Sequence, residues 1–523
     1  MVGIKEMRVI LLRPPRYLWP FNSETSAFWQ PLGLLSLAAA VRKELTDVKI
    51  EVWDAPGQKW GWQTLTDKLA DGKIDVLGVG EEAVSAHEAL RAAGLAKQLH
   101  PGCLVVAGGV YFAHTIEQTL KVDPVDIVVR GEGERTFVEL LANIDDRKTW
   151  PGIDGLAFLN DAGQVETTPP RKLIGNLDSL PLPAYDLVNM ASYGHRSHNH
   201  PGLVSVEHSR GCIDNCSFCI LWKHMGKSPD GNGQVVPHYR TKSAERSFEE
   251  VRWLYHHFGR RTFGWVDPTF NASPKWSDKW AELMLGSELV GPGQSTKTLH
   301  TAWVRADCIV RDEQEGILDK LVRAGLRQVM IGVERDDQAG LATVSKHNNS
   351  LDVCREAFAI LRENYPQVYT IGTVIFGLPE DGREDIDRLM RRQYELGMDY
   401  CFLIPLTPCP GTEMAEKLHA GGYVVNGDLA SYNFHTPVCR TDTLSLRELE
   451  SVYWRIMLRP SKGQLARGIR QLLLQRDGRR RRIHLALLGK GVGIAVRSLA
   501  RRILHPNDTK ATLHSRRPPW YDK

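Results

Sequence analysis

The chain has 523 residues, which is too long for one ordinary core, so two or three domains are expected. Its apolar fraction of 42% and charged fraction of 24% are typical of a soluble globular protein, and no apolar run reaches the roughly 18–20 residues that a membrane span needs. The nine cysteines show no paired spacing and follow no signal peptide, so we expect a reducing, cytoplasmic location.

Charge is distributed unevenly along the chain, although the net charge is only +4. Residues 461–523 hold 16 Lys and Arg against 3 Asp and Glu, whereas the remainder holds 50 against 59. The C-terminal part is therefore strongly basic and the body is acidic, which bears on the kind of partner the protein meets.

The first 145 residues alternate short β-branched runs with helical stretches. The predicted strands are Arg8–Leu12, Lys49–Trp53, Val76–Val79, Leu104–Ala107 and Ile127–Val129, and the predicted helices are Pro31–Glu44, Trp62–Leu69, Ser85–Leu99 and Thr115–Leu120. This alternation predicts a doubly wound, Rossmann-like α/β domain over residues 1–145. Such a sheet binds ligands at the carboxyl ends of its strands, where Gly108, Gly109 and Gly131 would let the backbone approach a bulky ligand closely.

Residues 146–200 are predicted to be a linker. Within it, Gly155–Glu166 has an alternating strand, an Asn-Asp-Ala-Gly turn and a second strand, which predicts a hairpin. The proline-rich stretch Asn176–Tyr185 follows as a strap between two domains.

From residue 201 to about residue 440 the alternation of strand and helix restarts. The predicted strands are Val204–His208, Thr262–Val266, Thr301–Arg305, Gln328–Gly332, Thr370–Phe376 and Tyr400–Ile404. Helical segments such as Ser247–His257 and Leu351–Glu363 follow them. Six such units predict a partial (β/α)6 barrel of the TIM type, with its site at the carboxyl ends of the strands.

A loop directly after the first barrel strand carries three cysteines, Cys212, Cys216 and Cys219, at the spacing C-x3-C-x2-C. A [4Fe–4S] cube binds four cysteine ligands, and the next cysteine is Cys308, so a cluster held here would keep one iron open. Zinc is the less favoured alternative, because it would need a fourth ligand and His208 or His224 would have to supply it.

The remaining cysteines of the barrel stand alone in the sequence. Cys308, Cys354, Cys401 and Cys439 are interpreted as small buried hydrophobic residues. Cys409 lies in a predicted strand-end loop facing the site and is therefore a candidate functional residue.

The cysteine loop resembles the cluster loop of the radical S-adenosylmethionine (radical SAM) superfamily. An aromatic residue, Phe218, directly precedes the third cysteine, and Arg210-Gly211 directly precedes the first. In that superfamily the open iron chelates the amino and carboxylate groups of SAM, so the resemblance implies that Cys212, Cys216 and Cys219 hold the cluster.

Four strand-end segments extend the resemblance to the superfamily: Trp265–Asn271, Ile331–Glu334, Ile375–Glu380 and Leu406–Thr412. It implies that Asp267 lies beside SAM, that Glu334 lies near its ribose and amino acid ends, and that Pro379 lies on the adenine side. The alternatives are that Asp267 caps a helix, that Glu334 pairs with Arg305, and that the prolines and glycines form ordinary turns.

The first domain resembles the cobalamin-binding domain that precedes the barrel in one class of the superfamily. The segments that carry the likeness are Pro31–Ala39, Ala107–His114 and Val129–Glu134. It implies cobalamin contacts at Gly108, Gly109, Gly131, Glu132 and Gly133. The motif D-x-H-x-x-G, whose His binds cobalt from below in methionine-synthase-like domains, is absent, and His87, His100 and His114 lie in other contexts. We therefore expect no bond from a histidine of this domain to the cobalt.

Residues 441–523 are predicted to be a basic helical region. Leu444–Leu458 and Gly463–Leu474 have amphipathic patterns, and Ile483–Leu504 resumes the pattern after the run Arg479–Arg482. A basic amphipathic helix indicates a membrane surface or another anionic partner, with a solvated helical cap over the barrel as the alternative. Nucleic acid is not favoured, because no recognised binding module accompanies the charge.

The resemblance implies an enzyme with a [4Fe–4S] cluster, SAM and cobalamin, a small-molecule substrate and an electron donor of the flavodoxin or ferredoxin type. In this class, reductive cleavage of SAM gives a 5′-deoxyadenosyl radical that abstracts hydrogen from an unactivated carbon, and methylcobalamin then donates a methyl group. We therefore expect a methyltransferase acting on a natural product, a lipid or a tetrapyrrole.

Two other functions stay open on the sequence. The order of domains and the basic tail also resemble the anaerobic magnesium-protoporphyrin monomethyl ester cyclases, which close a ring without transferring a methyl group. A non-catalytic cobalamin- or redox-sensing protein is the alternative of another class. Product mass separates the first from a methyltransferase, and formation of 5′-deoxyadenosine separates the second from either enzyme.

Overall fold

The computed structural model describes residues 6–16, 29–80, 82–194, 202–227, 235–291, 296–346, 349–458 and 520–523. These residues form a seven-stranded sheet, a six-stranded sheet and one short two-stranded pair, with helices packed around them. The predicted α/β fold class is confirmed, because two largely parallel sheets follow one another along the chain.

The first sheet has the strand order β2-β1-β3-β4-β5-β6-β7. Its parallel strands are β1 (Met7–Arg13), β2 (Val48–Asp54), β3 (Val76–Gly80), β4 (Leu104–Gly108) and β5 (Ile127–Val129). Its helices are α1 (Leu32–Glu44), α2 (Ala55–Gln58), α3 (Trp62–Ala70), α4 (Ala86–Leu99), α5 (Gly109–Phe112), α6 (Ile116–Val122) and α7 (Gly133–Ala142). β1 lies between two strands and has a continuous apolar run, as expected for a strand that is covered on both faces.

The predicted hairpin forms, as β6 (Leu156–Leu159) and β7 (Val165–Thr167). β6 pairs antiparallel with β5, so the hairpin extends the first sheet at its edge. The predicted linker region thus contains a hairpin whose backbone hydrogen bonds make it part of the first sheet.

The second sheet has the order β15-β14-β13-β12-β11-β8, and all of its pairs are parallel. Its strands are β8 (Leu203–Val206), β11 (Thr262–Trp265), β12 (Leu299–Val304), β13 (Leu326–Glu334), β14 (Tyr369–Phe376) and β15 (Tyr400–Pro405). β9 (Ser209–Arg210) and β10 (Arg240–Thr241) form the short pair beside it. The six predicted barrel strands are confirmed, and β8 and β15 are the edges of an open arc.

Helices follow the strands of the arc, and the longer ones cover its outer face. They are α8 (Leu221–His224), α9 (Ala244–Phe258), α10 (Pro274–Leu285), α11 (Ala306–Gln314), α12 (Ile317–Arg323), α13 (Gln338–Thr343), α14 (Leu351–Asn364), α15 (Arg383–Glu395), α16 (Glu413–Ala420) and α17 (Leu446–Leu458). The N-cap side chains of Ser243, Ser273, Ser350 and Thr412 each accept a backbone N–H of the first turn. These caps explain why the helices begin where they do.

The two sheets share one buried core, which runs from the α1 side of the first sheet into the outer layer of the barrel. Gln30 fixes the junction, since its side-chain amide donates to Leu203 O at 3.0 Å and accepts from Ser205 N at 2.8 Å. It thereby satisfies backbone groups of β8 at the open edge of the sheet, where a neighbouring strand would otherwise pair.

The last four residues pack on the first domain. Trp62 N donates to Tyr521 O at 2.8 Å, and the Tyr521 hydroxyl donates to Glu88 Oε1 at 3.1 Å. α17 lies where the first tail helix was predicted, whereas the predictions for Gly463–Leu474 and Ile483–Leu504 lie outside the described residues. Within the described part of the chain, no helix is both long enough and apolar enough to cross a membrane.

Candidate functional site

The three-cysteine loop lies between β9 and α8, at the carboxyl end of the first barrel strand. Gly211 has a φ of 81°, and a Cβ there would meet His238 O at 1.8 Å, so only glycine fits before the first cysteine. Ser217 N donates to Val344 O, and Met414 N donates to Ser217 O, both at 3.1 Å. The loop is therefore held against segments that follow the fourth and the sixth barrel strands.

Cys212, Cys216 and Cys219 are free and half-buried. Burial raises the pKa of Cys216 well above its usual value and raises the pKa of Cys219 to about 11, and in each case a neighbouring thiol of the loop adds to the shift. Thiols held together in this way suit a cationic iron–sulfur group, which stabilises the thiolate form.

Among the described residues, no three His, Cys, Asp or Glu side chains meet closely enough to hold a single metal ion. A cubane does not require that geometry, because each of its thiolates binds a different iron atom. The donor set of the loop therefore fits the expected cluster, and the three cysteines stay its predicted ligands.

Of the four other barrel cysteines that were predicted to be buried, three are buried and one is half-buried. Cys308, Cys354 and Cys439 are buried, and Cys401 is half-buried against the core. Cys409 is half-buried after β15, burial raises its pKa to about 12, and Cys219 contributes to that shift. Cys409 thus lies on the same side of the barrel as the cluster loop, although its functional role stays a prediction.

Asp267 is fully engaged with protein groups. Its Oδ1 accepts hydrogen bonds from His208 N, Ser209 N and Ser209 Oγ, and its Oδ2 lies 3.0 Å from His208 Nδ1. Burial raises the pKa of Asp267, but His208 and Ser209 together hold it below its usual value. The carboxylate ties the end of β11 to the start of the cluster loop, so its observed role is positional, and direct contact with SAM stays a prediction.

Glu334 ends β13 in a strained conformation, with a φ of 64° and a register shift against β14. A non-glycine residue in the left-handed region at a strand end is often part of a functional site. Its partner is Lys346, whose Nζ donates to Glu334 Oε1 at 2.9 Å, and not the Arg305 that sequence reasoning considered. Burial alone would lower the pKa of Lys346, but Glu334 and Cys216 together raise it.

The sequence does not identify Lys346 as a site residue, because a single lysine belongs to no motif with a recognisable spacing. The electrostatic influence of Cys216 on Lys346 and its hydrogen bond to Glu334 place its ammonium between the cluster loop and the fourth strand. An ammonium paired with a carboxylate offers one group of each charge, which is the pattern that would bind the zwitterionic end of an amino acid.

Arg335 follows Glu334 and has a structural role. Its guanidinium donates to both oxygens of Asp381 at 2.9 and 2.6 Å and to Ile375 O at 3.1 Å, while Gly377 N and Leu378 N donate to Asp381. This buried ion pair between Arg335 and Asp381 holds in place the loop after β14 that contains Pro379. Arg305 is likewise paired, with Asp214 and Asp307.

The glycine-rich edge of the first sheet lies at the carboxyl ends of β3, β4 and β5. Gly109 and Gly131 have φ values of 80° and 71°, and a Cβ on Gly131 would meet nothing within 4 Å. A Cβ on Gly108 would make only ordinary contacts with Val129. The open space at this edge fits a bulky planar cofactor. Gly133 differs, because a Cβ there would meet Leu37 at 2.9 Å, so its observed role is close packing against α1.

Glu132 belongs to a buried ion network that joins the two domains. Arg210 donates to Glu132 at 2.9 Å, to Glu134 at 2.6 Å and to Glu207 at 2.9 Å, and Arg240 donates to both oxygens of Glu132 at 3.0 Å. Burial raises the pKa of Glu134, but Arg210 more than offsets this and holds the pKa below its usual value. The observed partners of Glu132 are thus protein groups, and its contact with cobalamin stays a prediction.

A histidine pair lies at the same junction. The rings of His114, after β4, and His224, in α8, have centroids 5.6 Å apart, and a Cβ on Gly411 would meet the His114 ring at 2.5 Å. Burial lowers the pKa of both histidines to about 4, so both are neutral at physiological pH. The carboxyl-end loops of the two sheets therefore meet each other at this point.

An open parallel arc with a three-cysteine loop after its first strand, joined to a glycine-edged doubly wound sheet, defines a two-domain iron–sulfur enzyme. Comparison with known families agrees: the Radical SAM superfamily matches residues 206–392, and the B12 binding domain matches residues 20–141. The chain therefore combines a radical SAM domain with a B12 binding domain that precedes it. Its cofactors are a [4Fe–4S] cluster, SAM and cobalamin.

Among the individual relatives, some are named as methyltransferases and others as ester cyclases. An uncharacterized methyltransferase of Pyrococcus horikoshii is 28% identical over 466 residues, which cover 87% of this chain and 94% of the relative. The anaerobic magnesium-protoporphyrin IX monomethyl ester cyclase of Rubrivivax gelatinosus is 25% identical over 453 residues, covering 85% and 75%. The structure of the radical SAM methyltransferase TsrM from Kitasatospora setae, with cobalamin and a [4Fe–4S] cluster bound, has a TM-score of 0.62 at 18% identity and covers 81% of this chain and 79% of that one. That last likeness concerns the fold.

Proposed function

We propose that the protein is a cobalamin-dependent radical SAM methyltransferase that methylates an unactivated carbon of a small molecule. The observation that carries the proposal is the junction of the two carboxyl-end edges. Arg210, two residues before Cys212, is bonded to Glu132 and Glu134, which directly follow the glycine edge at Gly131. A substrate between these edges would meet groups delivered from both domains.

The residues of the chain have separate roles in this proposal. Cys212, Cys216 and Cys219 hold the cluster, and Glu334 with Lys346 holds the amino acid end of SAM. Gly108, Gly109 and Gly131 leave room for cobalamin. When bound, the cluster with SAM supplies hydrogen abstraction, and cobalamin supplies the methyl group.

Methyl transfer is favoured over ring closure by the relatives. The uncharacterized methyltransferase shares higher identity, and the match covers 94% of its length, against 75% for the cyclase. The cyclase function remains the second candidate, because that relative also matches most of this chain. An external electron donor of the flavodoxin or ferredoxin type would supply the reducing electron in both cases.

The test uses the full chain, reconstituted anaerobically with iron, sulfide and cobalamin, and SAM that carries a trideuteriomethyl group. With reductant and an extract of the source cells, we expect 5′-deoxyadenosine together with a product that has gained the labelled methyl group. A product without label would favour the cyclase, and absence of reductant-dependent 5′-deoxyadenosine would favour a binding protein. The Cys216→Ala variant is the control for cluster-dependent cleavage.

A further inference from the structure

The inner face of the barrel carries large apolar side chains where the substrate of the proposed function would bind. Successive residues of a strand point to opposite faces, and on β12 His300 contacts Trp280 of the outer helix α10. Ala302 and Val304 lie in the same buried core as Trp280, so the alternating residues Thr301 and Trp303 face inward. The hydrogen bond between Gln328 and Thr301 on paired strands agrees with this direction.

The same alternation assigns the inner face of the next strands. A Cβ on Gly372 of β14 would meet Met398 and Phe358 of the outer layer, so its neighbour Ile371 faces inward. Register pairs Ile371 with Met330 and with Tyr400. Phe402, two residues after Tyr400, faces the same way, and its ring lies 5.1 Å from that of His435. Met330, Ile371, Tyr400 and Phe402 are all half-buried.

Three large apolar side chains are exposed on this inner face. Trp303 is 41% exposed and Val266, beside it at the end of β11, is 39% exposed. Trp29 is 38% exposed, and its ring lies over the inward side of Gly264, where a Cβ would meet it at 2.3 Å. Exposed apolar side chains grouped in a concave space mark a ligand site in preference to an ordinary surface.

Two arginines at the same end of the barrel are already neutralised by carboxylates. Arg305, after β12, is paired with Asp214 and Asp307. Arg335, after β13, is paired with Asp381. A substrate carboxylate or phosphate in the inner space would have to compete with these buried pairs, at the cost of its own desolvation.

We propose that the substrate is an uncharged, apolar molecule whose reacting part lies in the barrel against Trp303, Met330 and Phe402. This inference rests on the proposed function, since it assigns the substrate class of that site. It makes Trp303 a specificity-determining residue. The aromatic and thioether surfaces favour a flat or polycyclic hydrocarbon skeleton over a polar metabolite.

The experiment compares two probes that share one ring system and differ by a charge. N-phenyl-1-naphthylamine is neutral, and 1-anilinonaphthalene-8-sulfonate carries a sulfonate. Equilibrium dialysis against the reconstituted full-length protein should show tighter binding of the neutral probe. The Trp303→Gln variant should weaken binding of the neutral probe about tenfold, as expected for the loss of one buried aromatic contact.

Leu99→Gln is the matched control, because Leu99 is 36% exposed on α4 of the first domain, away from the barrel. Equal or tighter binding of the sulfonate would overturn the inference, as would an equal loss in Leu99→Gln and Trp303→Gln. Reductant-dependent cleavage of SAM by the wild-type protein tests the proposed function separately. A protein that cleaves SAM but prefers the charged probe would keep that function and refute the apolar substrate.

Discussion

At the scale of single residues, the cluster ligands give the most direct prediction. Replacing Cys212, Cys216 or Cys219 by Ala should remove the cluster and SAM cleavage together, because each thiolate binds its own iron. Iron and sulfide analysis of the wild type should find about four of each per chain. The control is Cys103→Ala, which removes a buried thiol of the first domain. Iron retained by the triple Ala variant would contradict the assignment.

Gly108 allows cobalamin binding at the glycine-rich edge of the first sheet to be tested without straining the backbone. Gly109 and Gly131 have positive φ values, so any side chain there strains the backbone whether or not a ligand binds. Gly108 has a φ of −156°, which suits any residue, and a Cβ would make only ordinary contacts. A loss of binding on substitution would therefore report on the ligand.

We expect Gly108→Val to weaken hydroxocobalamin binding by about tenfold or more, because the added methyl groups occupy the space through which the cofactor approaches the backbone. Equilibrium dialysis measures the affinity, and iron content should stay unchanged. Gly102→Val is the control, since a Cβ at Gly102, in the turn before β4, meets nothing within 4 Å. Unchanged affinity in Gly108→Val would place cobalamin elsewhere.

At the scale of elements, the network around Arg210 connects the cluster loop with the loop between β5 and α7. One guanidinium meets three carboxylates, and Arg240 shares Glu132. All of these side chains except Glu207 are less than a tenth exposed. Arg210 is thus a positioning residue that fixes one domain on the other.

We expect Arg210→Lys to lower the free energy of unfolding by about 3–5 kcal/mol, because it leaves buried carboxylates without their matching donors. The double variant Arg210→Lys with Glu134→Gln should lose less than the sum of the single variants, which urea denaturation can measure. Arg252→Lys is the control, because its ion pair with Glu288 is exposed to solvent, where such pairs add little to stability. Strict additivity would show that Arg210 and Glu134 do not act together.

At the scale of the whole molecule, the basic tail has to be tested by substitution and not by truncation. Removing everything after Pro460 would also remove Tyr521, which contacts Trp62 and Glu88. Any effect of such a truncation would mix loss of charge with loss of packing. Charge-neutralising substitutions leave that contact in place.

If the tail meets an anionic membrane surface, replacing Arg479–Arg482 by Gln should weaken co-sedimentation with anionic vesicles, since each basic residue near the lipid contributes about 1 kcal/mol. Binding should also decrease as salt increases. Neutral vesicles are the control. Equal sedimentation of the two proteins would favour a helical cap over the barrel, the alternative to a membrane contact.

The sequence by itself determined the order of strands and helices, the six-stranded parallel arc and the three-cysteine loop. These features are local: hydrophobic period, turn residues and the spacing of Cys212, Cys216 and Cys219 lie within short stretches of the chain. The hairpin at Gly155–Glu166 was predicted for the same reason, although its place at the edge of the first sheet was not.

Only the tertiary structure decided which partner each charged side chain has. Glu132 lies 78 positions from Arg210 and Asp381 lies 46 positions from Arg335, and no local pattern connects such residues. The same applies to the inward direction of Trp303, which depends on which face of β12 the outer helices cover. A charged or aromatic residue in isolation is compatible with several roles, and long-range packing selects one because burial requires a partner for each charge.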